Sequence, residues 1–494
     1  MQARSASSCA RSRSRPAPAA CSRSAPMPFI VYDLETSGLD PAWNVPLQAA
    51  LIHTDDELRT LSELSLRCRL PAHIVPSPGA LLTTGIRPDQ LDQAPMSSLE
   101  LLGQIGRALR AWTPATILGH NVMRFDEEVL RFNSFTHLLP PYATQATGLK
   151  RADTLVMLRA AMLIEPGAIT VPVDGNGKRS LKLGAVCRAN GIALAEDEAH
   201  DALFDARATL ALFRVLRERA PRSVELMLAN AHKSGPIRLL SSGDLICLGG
   251  QSALVPAVGV MANPGNATSW AALDLSIDPA SYLDGSAKDI AGLLTRPGPR
   301  PVRMVKTNAQ PIVLAWEDAQ HALPADRLDD AVYNDRASRV RLHPSFQRHL
   351  TEALKNRFAD REPSPYPEAT LYSGGFLSDA DMRICARWHE LPWDQRGALV
   401  KHLGDVRLQA FANRQMFLEA PECLAPEAWR KGRDWLRERL TTETDVPWLT
   451  LPKAIREVAE LRASLDPQDA HRHAHLDAIE RWLRERSDRQ QMAA

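Results

Sequence analysis

No apolar run in the 494 residues approaches the ~18 expected of a membrane span, so no membrane association is expected. The seven cysteines (9, 21, 68, 187, 247, 385 and 423) are odd in number, scattered, and never spaced as CxxC. That pattern excludes a zinc ribbon and a disulfide framework, and it points to reduced thiols in a cytoplasmic setting. An excess of charge is also missing: 59 Lys and Arg against 58 Asp and Glu leave a net charge of +1. Any nucleic-acid contact must therefore use local basic surface and not a global field. There is no repeat at solenoid periods, and low complexity is confined to the first residues. The length is sufficient for about two to four domains, each with its own core.

Residues 1–26, "MQARSASSCARSRSRPAPAACSRSAP", lack both acids and the apolar core of a secretory signal. The segment reads either as a transit-like leader or as an over-extended start, because Met27 stands immediately before the first strand-like run. Either way it is expected to lie disordered and outside the fold. From 27 to 222, strand-like runs (28–34, 47–53, 116–120) alternate with helical ones (98–112, 126–138, 151–163, 201–220), the signature of an α/β domain. Pro221 is placed to close the last of these helices. From 223 to 362 the texture turns to short β-like runs broken by Gly, Pro and Asn, which predicts a small barrel or sandwich. From 363 to 494 apolar residues recur at helical spacing, predicting a helical domain.

The first strand-like run, "FIVYDLETSGLDP" (29–41), ends with Asp33 and Glu35 two residues apart. Strand side chains alternate, so both point to one face. Two carboxylates held that close are unfavourable unless a cation sits between them, or unless the strand simply runs out into a solvated turn at Ser37-Gly38. Further acids follow. "ILGHNVMRFDEEVL" puts Asp126 at the start of a helix, and "EDEAHDALFDARATL" supplies His200 and Asp205. Five residues of helix would turn His200 and Asp205 about 140° apart. They converge only if His200 lies in a loop and Asp205 in the first helical turn, with Asp201 as N-cap. Taken singly, Asp126 and Asp205 suit any helix N-terminus, and His200 any surface. Together they spell DxE…FD…HxxxxD within one α/β domain.

That set resembles the DEDDh 3′→5′ exonucleases, which have an RNase H-like fold. The resemblance implies that Asp33, Glu35, Asp126 and Asp205 hold two Mg²⁺ ions, for which Mn²⁺ can substitute, and that His200 is the general base. The chemistry is consistent: phosphodiester hydrolysis needs an activated water and a stabilised leaving oxygen, and hard cations take oxygen ligands. Further stretches, "GALLTTGIRPDQL" (79–91), "GNATSW" (265–270), "PVRMVKTNAQPIVLA" (301–315) and "LYSGGFLSDAD" (371–381), are similar to the bacterial exodeoxyribonuclease I family, as is the three-residue spacing between Asn121 and Phe125, which includes Arg124. This likeness extends from about residue 28 to the end. It implies an SH3-like barrel after the exonuclease domain, then a helical domain. The implied activity is processive 3′→5′ digestion of single-stranded DNA to 5′-mononucleotides in repair and recombination. The implied partner is the acidic tail of single-stranded DNA-binding protein, and the chain is expected to act as a monomer. Glu35, Asn121, Arg124 and Lys182 are the expected substrate contacts. Lys182 stands where the family carries an arginine, offering a point charge without the bidentate fork. Trp270 and Tyr372 are candidate stacking surfaces that core packing explains equally well, and the basic helix around Trp429 and Trp435 is a weaker candidate, better read as a solvated helix with its apolar face in the core. An exoribonuclease or an inactive single-strand-binding scaffold are the alternatives.

Overall fold

The computed structural model describes residues 27–194, 201–250, 252–357 and 362–492. The run at 28–34 becomes β1 (Phe29–Thr36), the centre of a five-stranded mixed sheet with β2 (Pro46–Thr54), β3 (Thr60–Arg67), β4 (Ala115–Gly119) and β5 (Leu149–Asp153). The order is β3-β2-β1-β4-β5, antiparallel on the β2 and β3 side and parallel on the β4 and β5 side. Alternation along β1 divides the core. Phe29 and Val31 bury against the helix Ala202–Arg219, while Ile30, Tyr32 and Leu34 bury against the helices Ser98–Ala111 and Asp126–Thr136. A mixed sheet with helices on both faces fits the expected RNase H-like domain.

Local chemistry sets the helix starts. Ser97 and Glu100 form a reciprocal capping box on the helix Ser98–Ala111. Pro221 ends one helix and opens the next, Pro221–Ala229, at its first position. One expectation needs correction: the helix expected over 151–163 begins only at Thr154, because Leu149–Asp153 is strand β5. Five residues are too few to show a period, and their partner β4 lies 30 residues away in sequence.

The second region holds a five-stranded antiparallel sheet: β6 (Leu245–Gly249), β7 (Leu254–Asn263), β8 (Asn266–Asp274), β9 (Val302–Lys306) and β10 (Val313–Ala315), in the order β10-β6-β7-β8-β9. Among the described residues the end strands β10 and β9 do not pair, so the expected closed barrel is not formed. Helices take its place. Val258, Leu273 and Val302 are covered by Ile290, Leu294, Tyr333, Phe346 and Leu350 from three helices within 287–356. A sheet whose apolar face is covered in this way does not need to close on itself.

The last region is helical, as expected, and shares its core with the first. Phe135 and Leu138 pack with Trp388, Leu408 and Phe411, and Val45, Leu47 and Leu81 with Leu440, Leu451 and Ile479. In the basic helix Pro426–Thr441, Arg430, Lys431 and Arg433 are exposed, whereas Arg439 is buried over the Trp448 ring, 4.5 Å from its centroid. That helix therefore presents a solvated face and a packed one. No described helix is long and apolar enough to cross a membrane.

Candidate active site

On the face of β1 that carries Phe29 and Val31, the next two side chains are Asp33 and Glu35. They look toward the start of the helix Ala202–Arg219. Asp201 caps that helix through the Leu203 and Phe204 amides, at 3.0 and 3.4 Å. Its other oxygen accepts from Gln48 Nε2 at 2.8 Å and from Arg67 at 2.9 Å. Gln48 is the β2 residue directly opposite Glu35, so the helix start is bolted to the strand pair that carries the acids. Burial works to raise the Asp201 carboxyl, but these hydrogen bonds outweigh it and hold the group below its usual value. The cap puts Asp205 in the first turn. Carboxylate oxygens of Asp33, Glu35 and Asp205 then all lie within 4.8 Å of one another.

Asp126 stands beside this trio. The β1–β4 ladder ends at Val31, and Asp126 Oδ1 accepts from the Leu34 amide at 3.1 Å, between Asp33 and Glu35 in the chain. Gly119 makes this approach possible: a Cβ there would meet the Tyr32 carbonyl at 2.9 Å and the Val122 side chain at 2.1 Å. The intervening turn has Asn121 at φ +68 and is fixed by Asp153, whose carboxylate accepts from the Asn121 and Met123 amides at 2.9 and 3.1 Å. Asn121 and Arg124 are exposed on this turn. Lys182 is exposed at the start of the helix Leu183–Ala189, which is tied to the same turn by His120 Nε2, 2.9 Å from the Leu181 carbonyl. His200 lies outside the described residues. Tyr372 is exposed and donates to Glu128 at 2.6 Å, while Trp270 is partly buried on β8. The sequence reading missed Asp153 and Gln48. Gln48 was accessible as the cross-strand neighbour of Glu35 once β1 and β2 are paired; Asp153 leaves no local signal.

The acids are held against their own repulsion. Burial, then Asp126 and Glu35, push the Asp33 carboxyl well above its ordinary value. Burial, then Asp205 and Asp126, push Glu35 up to about 9. Burial pushes Asp126 up to about 7 despite the Leu34 hydrogen bond. Among the described residues, the charges that act on Asp33 and Glu35 are those of other acids. An all-oxygen set of this kind fits a hard divalent cation, which would replace the missing positive charge. The sign of the pH response follows. A carboxyl raised on folding stabilises the fold below its unfolded pKa and loses that contribution as pH rises to the folded one. In EDTA, thermal melts should therefore show stability falling from about pH 5 to pH 9, the span set by Glu35. Saturating Mg²⁺ should flatten the fall; a metal-free melt insensitive to pH over that range would contradict these environments.

Residues 30–213 match the Exonuclease family model, and residues 365–486 match that of the Exonuclease I C-terminal domain. Exodeoxyribonuclease I of Escherichia coli (strain K12) is 30% identical over 381 residues, covering 72% of this chain and 77% of the relative. The chain belongs to the exodeoxyribonuclease I family. Among solved structures, Exonuclease I from Methylocaldum szegediense superposes with a TM-score of 0.82 at 28% identity, covering 93% of this chain and all of that one. Escherichia coli Exonuclease I in complex with a dA16 oligonucleotide gives 0.82 at 24% identity, with the same coverage, and speaks for the fold. All four acids fall within the Exonuclease match. An exodeoxyribonuclease I of this kind depends on a divalent metal ion, and the acidic cluster offers the donors for it.

Proposed function

We propose that this exodeoxyribonuclease I family member degrades single-stranded DNA processively from its 3′ end, releasing 5′-mononucleotides, with Asp33, Glu35, Asp126 and Asp205 holding two Mg²⁺ ions. The observation that carries the reading is the meeting of Asp33, Glu35 and Asp205 around one point, with Asp126 beside them on the Leu34 amide. When bound, the two ions supply positive charge at the attacking and leaving oxygens of an in-line displacement. The chain's own groups do the rest. His200 accepts the proton of the attacking water. Lys182 neutralises a phosphate as a point charge, while Asn121 and Arg124 line the approach to Asp126. Glu35, paired across the strands with Gln48, also contacts the terminal nucleotide. The acidic tail of single-stranded DNA-binding protein is the proposed protein partner, and the enzyme acts as a monomer in the cytoplasm.

The test is release of label from 3′- and 5′-labelled single-stranded DNA, with an RNA strand of the same sequence in parallel. Mononucleotides should appear from the 3′ end of DNA only; faster release from RNA would make the enzyme an exoribonuclease. EDTA should stop release completely. Ca²⁺ should restore DNA binding with little cleavage, because its longer and looser coordination suits the paired geometry poorly. Undiminished cleavage in EDTA would remove the metals from the proposal.

A further inference from the structure

A short loop of the second sheet reaches the end of β5, behind the turn that carries Asp126. Between β9 and β10, Thr307 is anchored to the Thr268 carbonyl by its amide and hydroxyl, at 2.8 and 2.9 Å. Three residues later, Gln310 is 1% exposed and adopts φ +47, a conformation unusual for a residue with a side chain. Its side chain ties the loop both to the first region and to the helix Pro221–Ala229. Oε1 accepts from the Asp153 amide at 2.7 Å, and Nε2 donates to the Met227 carbonyl at 2.9 Å. Asp153 is the residue whose carboxylate holds the Asn121 and Met123 amides, and so the turn that delivers Asp126. A second strut runs in parallel: Arg151 donates to the Asn308 carbonyl at 2.7 Å and to Glu127, the residue after Asp126, at 2.8 Å.

We infer that Gln310 is a positioning residue for Asp126, and that the β9–β10 loop of the second sheet fixes the turn bearing this carboxylate. The observations fit such a role better than simple domain adhesion. The cores of the first and second regions are already continuous through Cys247, Leu254 and Leu314, so adhesion does not require a polar side chain in a left-handed backbone. Strain of that kind persists where surrounding contacts determine it, and such sites cluster where geometry matters. Asp126 itself is held by one hydrogen bond to β1, so its place depends on the turn before it. Groups that orient metal ligands typically change metal affinity or activity 10–100-fold when lost. Gln310 acts through Asp153, so the lower part of that range applies.

This rests on the assignment of Asp126 as a metal ligand, and the experiment separates the two. Gln310→Gly removes both hydrogen bonds while suiting the positive φ, and the relief of backbone strain offsets part of the cost of the cavity and of the unpaired Asp153 amide and Met227 carbonyl it leaves. Binding of Mn²⁺ to the full chain, followed by electron paramagnetic resonance of the free ion, should weaken by about tenfold. Hydrogen exchange of the Asn121–Asp126 amides should quicken in the metal-free protein beyond the change in amides remote from this turn, which report the general loss of stability. Single-turnover cleavage should then need about tenfold more Mg²⁺ for half its maximal rate, with affinity for single-stranded DNA unchanged. Half-saturation does not depend on how much of a sample is folded; should the glycine variant fail to fold, Gln310→Met, which keeps side-chain length without hydrogen bonding, is read in the same way. A folded variant with wild-type Mn²⁺ affinity and wild-type exchange at 121–126 overturns the inference. Asp126→Asn serves as the control. If it too binds and cleaves normally, the ligand assignment fails; if it is inactive while Gln310→Gly is normal, only the positioning role fails.

Discussion

Replacing Asp33 by asparagine should reduce cleavage of single-stranded DNA at least about a thousandfold, roughly 4 kcal/mol of transition-state stabilisation, while making the metal-free protein harder to unfold. The two effects have one origin. Asp33 sits partly buried with Asp126, Glu35 and Asp205 as its nearest electrostatic neighbours, and all of them oppose its charge. In the absence of a cation the carboxylate is a source of strain, and a neutral side chain of the same shape relieves it. Under the proposed assignment the same carboxylate is a ligand when a cation is present, and its loss would empty a site without disturbing the strand. Melting in EDTA at pH 8 should therefore rise in Asp33→Asn, and the difference should shrink or reverse as Mg²⁺ is added. DNA affinity in Ca²⁺ should change only a few-fold. A stable variant that cleaves near the wild-type rate in millimolar Mg²⁺ would sink the ligand assignment. One that is inactive but melts lower in EDTA would show that Asp33 is a structural acid with a favourable partner of its own.

The parts of this site that lie close together in sequence were legible before the fold. Asp33 and Glu35 are two apart on a strand, so their common face follows from the pleat. Asp201 and Asp205 are one helical turn apart, so a cap at 201 puts 205 in the first turn, as found. What could not be read are contacts made by folding alone. Asp153 gathers amides from residues 30 and 32 positions earlier, and Gln310 meets it from 157 positions later. Neither leaves a pattern in its own neighbourhood, and a positive φ at Gln310, ahead of a proline, is the opposite of what local preference suggests. The open second sheet is a related case. Residues 245–315 announce strands through their broken apolar runs, but whether a sheet closes depends on what covers it, and here the cover comes from helices within 287–356. Arg439 gives the same lesson in the last region: in sequence it is one cation of a basic helix, while in the fold it is buried beside Glu368 among Trp43, Trp435 and Trp448.

His200→Ala should slow turnover by roughly 10²–10⁴-fold, the usual contribution of a general base. Its proposed role is the one the resemblance to the DEDDh exonucleases implies. In the sequence it immediately precedes Asp201, whose carboxylate is locked by Gln48 and Arg67 at the helix start that delivers Asp205. A base must be neutral to act, so the wild-type rate should fall as pH drops through the histidine titration, near 6.5 for an unperturbed ring. The acids themselves complicate this reading. As proposed ligands, Glu35 and Asp126, with carboxyls raised to about 9 and about 7 before metal is added, would bind protons in competition with the cation and produce an acidic limb of their own. The two limbs differ in one respect: competition moves to lower pH as Mg²⁺ increases, whereas protonation of His200 does not respond to metal once the sites are full. Single-turnover rates from pH 5.5 to 9.5 at two saturating Mg²⁺ concentrations therefore isolate the histidine limb. In wild type that limb should remain fixed between the two concentrations. In His200→Ala it should vanish, leaving a slower rate that climbs with hydroxide. A variant that retained the fixed limb and lost less than about tenfold would place the base elsewhere. Recovery of the wild-type rate on adding Mg²⁺ alone would instead make His200 a group that orients or holds the metal, and the proton would need another acceptor.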